Sequence, residues 1–450
     1  MKTDKKVYFI SLGCDKNLVD SEVMLGGLGE KGYSFTDDET EADIVVINTC
    51  CFIGDAKEES IKTILEMAEL RKSGDIEALV VTGCLAQRYK EEIKKEIPEV
   101  DLLLGIGDIG SIAEELEKTL SGKGEDHISS SNAPLVYGRK RAVTTGGHFA
   151  YLKIAEGCDK HCTYCIIPRL RGDFRSVPME GLVKEAEGLA ENGVKELILV
   201  AQETTVYGVD LYGKKSLPEL LKKLCAIEGL KWIRIQYCYP EEIGDELIDV
   251  IAAEPKICHY LDMPIQHASD QILKRMNRRA TEDGLRETIT KLRERIPDIT
   301  LRTTLISGFP GETQEDFEEL YRFVNEMEFD RLGVFTYSAE EDTPAASFPD
   351  QVPEDVAASR RDELMELQQE IAFEKAESLV GAEYDVMVEG YLPDEGVYVT
   401  RTYRDAPGVD GLLFLESNRD LMTGDFVRAR VTGSKEYDLL GEEIEDEFTE

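Results

Sequence analysis

In "EGCDKHCTYC" the chain sets Cys158, Cys162 and Cys165 in one short loop, three residues filling the first gap and two the second. A tetrahedral structural zinc takes four protein ligands, and no fourth donor stands beside these three. On a cubane iron-sulfur cluster, three cysteines leave one iron without a protein ligand, open to a small chelating molecule. Tyr164, just before the last cysteine, is placed to offer an aromatic face to a stacked purine. A zinc site completed from elsewhere, or an electron-transfer cluster with a remote fourth cysteine, remains the alternative for this spacing, which differs from the C-x2-C-x2-C of ferredoxins.

A second set of cysteines is spread out. "VYFISLGC" ends at Cys14, "ADIVVINTC" at Cys50 and "ALVVTGC" at Cys84, and each run precedes a helical pattern. In an open parallel sheet the loops at the carboxyl ends of the strands line one edge, so three cysteines in equivalent loops meet as a triangular thiolate site. Cys51 is the bland neighbour in this reading, although the sequence does not settle which of Cys50 and Cys51 points inward.

The elements that must position these loops divide the chain. Residues 1–120 read as a doubly wound parallel-sheet domain, with "DLLLGIG" as a further strand, and 121–147 as a polar connector without periodicity. Residues 148–352 carry six strand-helix units ("AYLKIAEGC", "ELILVAQETT", "WIRIQYCYP", "HYLDMPIQH", "LRTTLISGFPGET", "RLGVFTYSAE"), which predict a full or partial TIM-like barrel with its chemistry at the carboxyl edge. A connecting helix at 353–378 leads to short alternating runs at 379–446, a small antiparallel β-barrel.

Lys and Arg number 52 against 91 Asp and Glu, a net charge of −39. Such a surface repels phosphate backbones and attracts basic partners, although acidic solubilisation alone would produce it as readily. No apolar run approaches the roughly 20 residues of a membrane span, and the expectation is a cytoplasmic protein without a membrane partner. Ten cysteines in a reducing compartment point to metal or redox chemistry rather than disulfides.

These motifs resemble a known family. C-x3-C-x-aromatic-C after the first strand of a barrel is similar to the signature of radical S-adenosylmethionine enzymes. "SLGCDKNLVDSE", "INTC", "VTGC", "YLKIAEGCDKHCTYCIIP", "YPEEI", "LDMPIQHASD" and "RLGVFTYSAEEDTPAA" extend the resemblance over essentially the whole chain to the methylthiotransferases, most closely the RimO type. The resemblance implies a 4Fe-4S cluster on Cys158, Cys162 and Cys165 that reduces S-adenosylmethionine, an auxiliary 4Fe-4S cluster on Cys14, Cys50 and Cys84, and a C-terminal TRAM domain, OB-like. It implies methylthiolation of the β-carbon of an aspartate in the twelfth small-subunit ribosomal protein, with an external electron donor and a sulfur donor. A tRNA adenosine methylthiotransferase and an iron-sulfur electron carrier are the competing classes.

Cofactor contacts are expected at Tyr164, at Glu203 in "AQETT" (the methionyl amine), at Gln266 facing the barrel mouth beside His267, and at Gly308 in "SGFPGET", where Gly308, Pro310 and Gly311 either admit a cofactor or simply turn the chain. Arg169, Arg171 and Arg175 read as solvated loop charges, and Cys225, Cys238 and Cys258 as core. From residue 379 onward 6 Lys and Arg face 18 Asp and Glu, a net of −12 that opposes nucleic acid and favours a basic ribosomal protein.

Overall fold

The computed structural model describes residues 4–444; the acidic end at 445–450 lies outside them. The first sheet comprises β1 (Lys6–Ser11), β2 (Ser34–Thr36), β3 (Ile44–Thr49), β4 (Ala78–Gly83) and β5 (Leu102–Leu104), ordered β2-β1-β3-β4-β5 and parallel throughout. "IVVINT" and "ALVVTG" are buried at every position, as central strands covered on both faces must be. Helices α1 (Asp15–Lys31) and α5 (Ile112–Leu120) cover one face. The other is covered by α2 (Gly54–Ser73), α3 (Cys84–Arg88) and α4 (Lys90–Glu96). The edge strand β2 carries no alternation that the sequence reading could register.

Residues between Leu120 and Phe149 form no helix or strand longer than a bridge, yet they are tied down on both sides. Ser129 donates its amide and hydroxyl to Asp108, and Asn132 donates to Asp173 across 2.9 Å. Arg141 is buried and pairs with Glu22 at 2.6 Å and Glu185 at 2.5 Å. The expected polar connector is therefore a strap bonded to both neighbouring units.

The central unit runs β6 (Phe149–Lys153), β7 (Ala155–Glu156), α6 (Ile167–Arg171), β8 (Arg175–Ser176), α7 (Met179–Glu191), β9 (Glu196–Val200), α8 (Val209–Tyr212), α9 (Leu217–Cys225), β10 (Trp232–Ile235), α10 (Asp245–Ala253), β11 (Ile257–Asp262), α11 (Asp270–Arg275), α12 (Glu282–Arg295), β12 (Thr300–Ser307), α13 (Gln314–Met327) and β13 (Arg331–Thr336). Six parallel strands, β6-β9-β10-β11-β12-β13, make an open barrel, and β7 pairs only with β8. Leu197, Leu199, Ile233, Ile235, Leu261 and Leu305 pack outward on the helices, while Glu196, Arg234 and Tyr260 alternate onto the opposite face.

Helix α14 (Glu354–Ser378) leads to β14 (Glu383–Leu392), β15 (Val397–Thr402), β16 (Leu413–Glu416), β17 (Phe426–Lys435) and β18 (Asp438–Glu443), a closed barrel ordered β14-β15-β16-β18-β17. The β16–β18 pair is parallel, so the barrel is not wholly antiparallel. It docks on the strand starts of the central sheet. Glu196, fully buried, lies 2.7 Å from Arg234 and 2.6 Å from Arg401, and Trp232 meets Phe426 edge-on at 4.8 Å. Among the described residues no helix is long and apolar enough to cross a membrane.

Candidate active site at two three-cysteine loops

Cys50 and Cys84 follow their strands directly and Cys14 follows β1 after Leu12 and Gly13, and glycine makes the approach possible. Gly13 has φ +91°, and a Cβ there would fall 2.7 Å from Cys50 Cβ; Gly83, also at φ +91°, would strike Thr49 O at 2.4 Å. Ser60 on α2 clamps Cys50, accepting from its amide at 3.0 Å and donating to its carbonyl at 2.8 Å. Asn17 donates its amide nitrogen to Leu12 O and Thr49 O, each at 3.0 Å, joining the Cys14 loop to the Cys50 loop. Cys50 lies against Gly13, whereas Cys51 is fully buried in the apolar core beside Leu85 and Ala86. That packing favours Cys50 as the inward-facing member. Burial pushes the Cys50 thiol up and the Cys84 thiol up to about 12.

The tight loop is held by its neighbours' backbone. Gly157, at φ +81°, sits where a Cβ would lie 2.0 Å from Asp173 O, and the Cys158 amide donates to Gly172 O at 3.1 Å. Thr163 donates its amide to Met276 O and its hydroxyl to Arg275 O, and Asn277 donates to His161 O. Burial raises the Cys158 thiol to about 11 and pushes Cys165 up as well. A Gly157→Ala chain is expected to lose the iron bound by this loop on anaerobic reconstitution while keeping its far-ultraviolet dichroism, because the clash is with fixed backbone.

One segment touches both loops. After β10, Tyr237 donates its hydroxyl to Asp15, next to Cys14, at 3.1 Å, and the Tyr239 hydroxyl lies 3.6 Å from Cys162 Sγ. Lys16 sits over the Tyr237 ring at 3.3 Å and Lys160 over the Tyr239 ring at 5.0 Å. Among the described residues no three His, Cys, Asp or Glu side chains close on one point as a lone metal ion requires. On a cubane cluster three cysteine thiolates each bind a different iron, and the donor chemistry of either three-thiol set suits such a group.

Glu203 is buried, its Oε1 accepting from the Thr205 amide at 2.9 Å and from the Thr205 hydroxyl, its Oε2 unpartnered and 3.9 Å from Lys160 Nζ. Burial raises its carboxyl to about 7. An unpartnered buried carboxylate oxygen suits an incoming ammonium group. Gln266, four residues past β11, takes a left-handed φ of +71° in an isolated bridge beside β12, its backbone bonded to Thr304 O and to the Ile306 amide. His267 is fully buried: Nδ1 accepts from the Ser269 amide, Nε2 has no hydrogen-bond partner, and burial depresses it to about 3, so the ring is neutral.

Some expectations change. Tyr164 lies perpendicular to Phe309 at 6.5 Å, packed against a small apolar cluster with Ile272 and Met276. Gly308 is explained by packing: at φ +73° its Cβ would fall 2.2 Å from Ala357 Cβ on α14, and its amide is taken by Glu312 at 2.8 Å. Of the three arginines read as solvated, Arg169 is exposed and near Asp342. Arg175 bonds the carbonyls of Ala133, Ser131 and Arg171, and Arg171 is only 2% exposed. Cys238 and Cys258 are buried and Cys225 partly so. The sequence reading missed Arg278, buried 4.1 Å over the Tyr239 ring with Nε and one terminal nitrogen unpartnered. Nothing in the spacing of "MNRRA" marks it.

Residues 6–105 match the uncharacterized protein family UPF0004, 152–324 the radical SAM superfamily and 380–444 the TRAM domain. The chain is 64% identical to the ribosomal protein uS12 methylthiotransferase RimO of Lachnoclostridium phytofermentans, over 97% of this chain and 99% of that one. It is 50% identical to the protein of the same name in Clostridioides difficile, over 97% and 98%. The fold is similar to that of the radical S-adenosylmethionine methyltransferase TsrM of Kitasatospora setae, with a TM-score of 0.55 at 14% identity over 86% of this chain and 78% of that one. With three cysteines after three strands of the first sheet, three more in one loop of the barrel, and near-full-length identity of this degree, the chain belongs to the RimO family of ribosomal protein uS12 methylthiotransferases.

Proposed function

We propose that this chain is a cytoplasmic methylthiotransferase that replaces a hydrogen on the β-carbon of an aspartate in ribosomal protein uS12 with a methylthio group. The observation that carries the reading is the 64% identity over 97% of the chain to a protein of that name. The ligand sets would be Cys158, Cys162 and Cys165 for one 4Fe-4S cluster and Cys14, Cys50 and Cys84 for the other. Bound there, the clusters and S-adenosylmethionine supply one-electron reduction of the sulfonium and the sulfur to be transferred, with electrons and sulfur replenished by external donors.

The residues of the chain bind and exclude. The free Oε2 of Glu203 accepts the methionyl ammonium, with Gln266 past the end of β11. Tyr239 and Arg278 close the side of the Cys162 loop against water, which a reactive carbon-centred species demands.

Charge supports a basic protein substrate over tRNA. Arg401 and Arg404 are turned into the junction with the central sheet, Arg401 on Glu196 and Arg404 on Asp330 at 3.0 Å. Arg428 and Arg430 are paired with Asp385 and Glu383. No basic stripe is left on those four residues, while Asp394, Glu395, Glu416, Asp420 and Glu436 are exposed. Because Arg401 completes a buried ion cluster, deleting residues 379–450 would also damage the central barrel. Charge reversal is the cleaner probe: Asp394→Lys with Glu395→Lys is expected to weaken uS12 binding several-fold at low salt and little at high salt, as read by fluorescence anisotropy.

Mass spectrometry of uS12 after anaerobic incubation with reduced enzyme and S-adenosylmethionine tests the activity. A gain of one methylthio group on a single aspartate is expected. Methylthiolation of tRNA adenosine, with none on uS12, overturns the assignment.

A further inference from the structure

The segment after Cys165 does not stay with the barrel. Helix α6 begins two residues beyond that cysteine, and Ile166 and Leu170 are buried in the core of the first domain beside Cys51, Cys84 and Leu85. The last residue of the helix, Arg171, is thereby driven into the interface. Its Nη1 lies 3.0 Å from Asp20 Oδ2 and 2.9 Å from Glu156 Oε2. Its Nη2 donates to Asn17 Oδ1 and lies 3.6 Å from Cys84 Sγ. Lys153 shares both carboxylates, bonding Asp20 and lying 2.8 Å from Glu156.

Two cations and two carboxylates balance inside this cluster, so it needs no further anion for neutrality. A guanidinium N–H nevertheless points at the Cys84 sulfur. Asn17, which receives the same Nη2, also binds the backbone just before Cys14 and just before Cys50. One guanidinium, on a helix that starts at the tight loop, and the Asn17 amide it binds, on α1, therefore reach the loops of all three spread cysteines. Groups that hydrogen-bond metal ligands orient them and set the affinity and potential of the centre.

We propose that Arg171 is a positioning residue for the Cys84 thiolate, holding it by a charge-assisted N–H···S bond and coupling the geometry of the second cysteine set to that of the first. The proposal rests on the reading that Cys14, Cys50 and Cys84 bind a cluster. Removing the donor loosens Cys84 and withdraws positive charge from the sulfur, which favours the oxidised form of that cluster.

The test uses the full chain, anaerobically reconstituted. Arg171→Gln is made together with Glu156→Gln, so that Lys153 and Asp20 remain a balanced pair, and Glu156→Gln alone, which keeps the guanidinium, is the reference. Relative to that reference, iron release from one of the two clusters to a chelator is expected to quicken roughly 10- to 100-fold. The midpoint potential of the same cluster should fall, while the other cluster keeps its iron. Arg171→Lys, which keeps the charge without the planar fork, should recover part of the potential shift and little of the retention. If the double variant does not fold, Arg171→Lys decides alone: release and potential equal to the unsubstituted chain overturn the proposal. Cys84→Ala separates the two levels. Two intact clusters in Cys84→Ala defeat the ligand reading; one cluster in Cys84→Ala, with unchanged release and potential in the Arg171 variants, defeats only the role of Arg171.

Discussion

A chain with Cys14, Cys50 and Cys84 all replaced by alanine is expected to hold half the iron of the unsubstituted protein, to cleave S-adenosylmethionine when reduced, and to transfer no methylthio group. The complementary Cys158, Cys162 and Cys165 triple variant should keep the other half and lose both activities. The asymmetry follows from the construction. The tight loop is pinned by backbone bonds to the carbonyls of Gly172, Met276 and Arg275, none of which is made by a spread cysteine itself. The spread cysteines are joined by Asn17 and Ser60, which lie wholly within the first domain. Removing three thiols costs packing as well, because Cys50 and Cys84 are buried, on the order of 1 kcal/mol each for the lost sulfur contacts. Iron and acid-labile sulfide assays with electron paramagnetic resonance make the measurement. Loss of all iron from the first variant would sink the two-site arrangement.

The largest effect on stability is expected at Glu196. Its carboxylate is fully buried between Arg234 and Arg401, themselves 0% and 1% exposed in the side chain. Glu196→Gln removes the carboxylate paired with buried Arg234, while Arg401 keeps Glu389 at 2.8 Å, a loss of about 3–5 kcal/mol for breaking such a pair. Replacing the carboxylate and Arg234 together by apolar residues of similar volume should cost less than the single change, since both ions then escape desolvation. Burial alone would raise this carboxyl, but Arg401 and Arg234 outweigh it and hold it below its ordinary 4.5. A carboxylate depressed on folding contributes stability that is complete above about 4.5 and disappears as pH falls through the folded value. The difference in melting temperature between the unsubstituted chain and Glu196→Gln should therefore be steady near neutrality and shrink under acid. A difference that grows with acidification would contradict the ion-pair account.

What the sequence disclosed and what it withheld divide by range. The strand, cysteine, helix pattern at Cys14, Cys50 and Cys84 was readable because each strand is a local apolar run and parallel sheets gather their carboxyl ends. The six strand-helix units of the barrel were readable for the same reason. Arg171 was read as a solvated charge because its partners Asp20 and Asn17 lie 151 and 154 residues away, and only folding brings them together. Arg278 and Tyr239 escaped notice because a stacked, buried arginine has no periodic signature. Gly308 was ambiguous because a left-handed glycine looks alike whether it admits a ligand or, as here, the side chain of Ala357.

The buried triad at Glu196 also has a schedule. Arg234 is made 38 residues after Glu196, and Arg401 arrives 205 residues after it. At a synthesis rate of about 5–20 residues per second, the first pair waits roughly 8–33 s for its third member. During that interval the nascent central sheet exposes the floor that β14–β18 will later cover, including Trp232 and Tyr260, which ultimately pack beside Met387. The strands of the amino-terminal sheet are all made by β5, and of the later chain its core takes in the short helix at Ile166 and Leu170. Folding on the ribosome should thus proceed in two acts, an early one that assembles the first sheet and a late one in which the last domain to emerge finishes the middle.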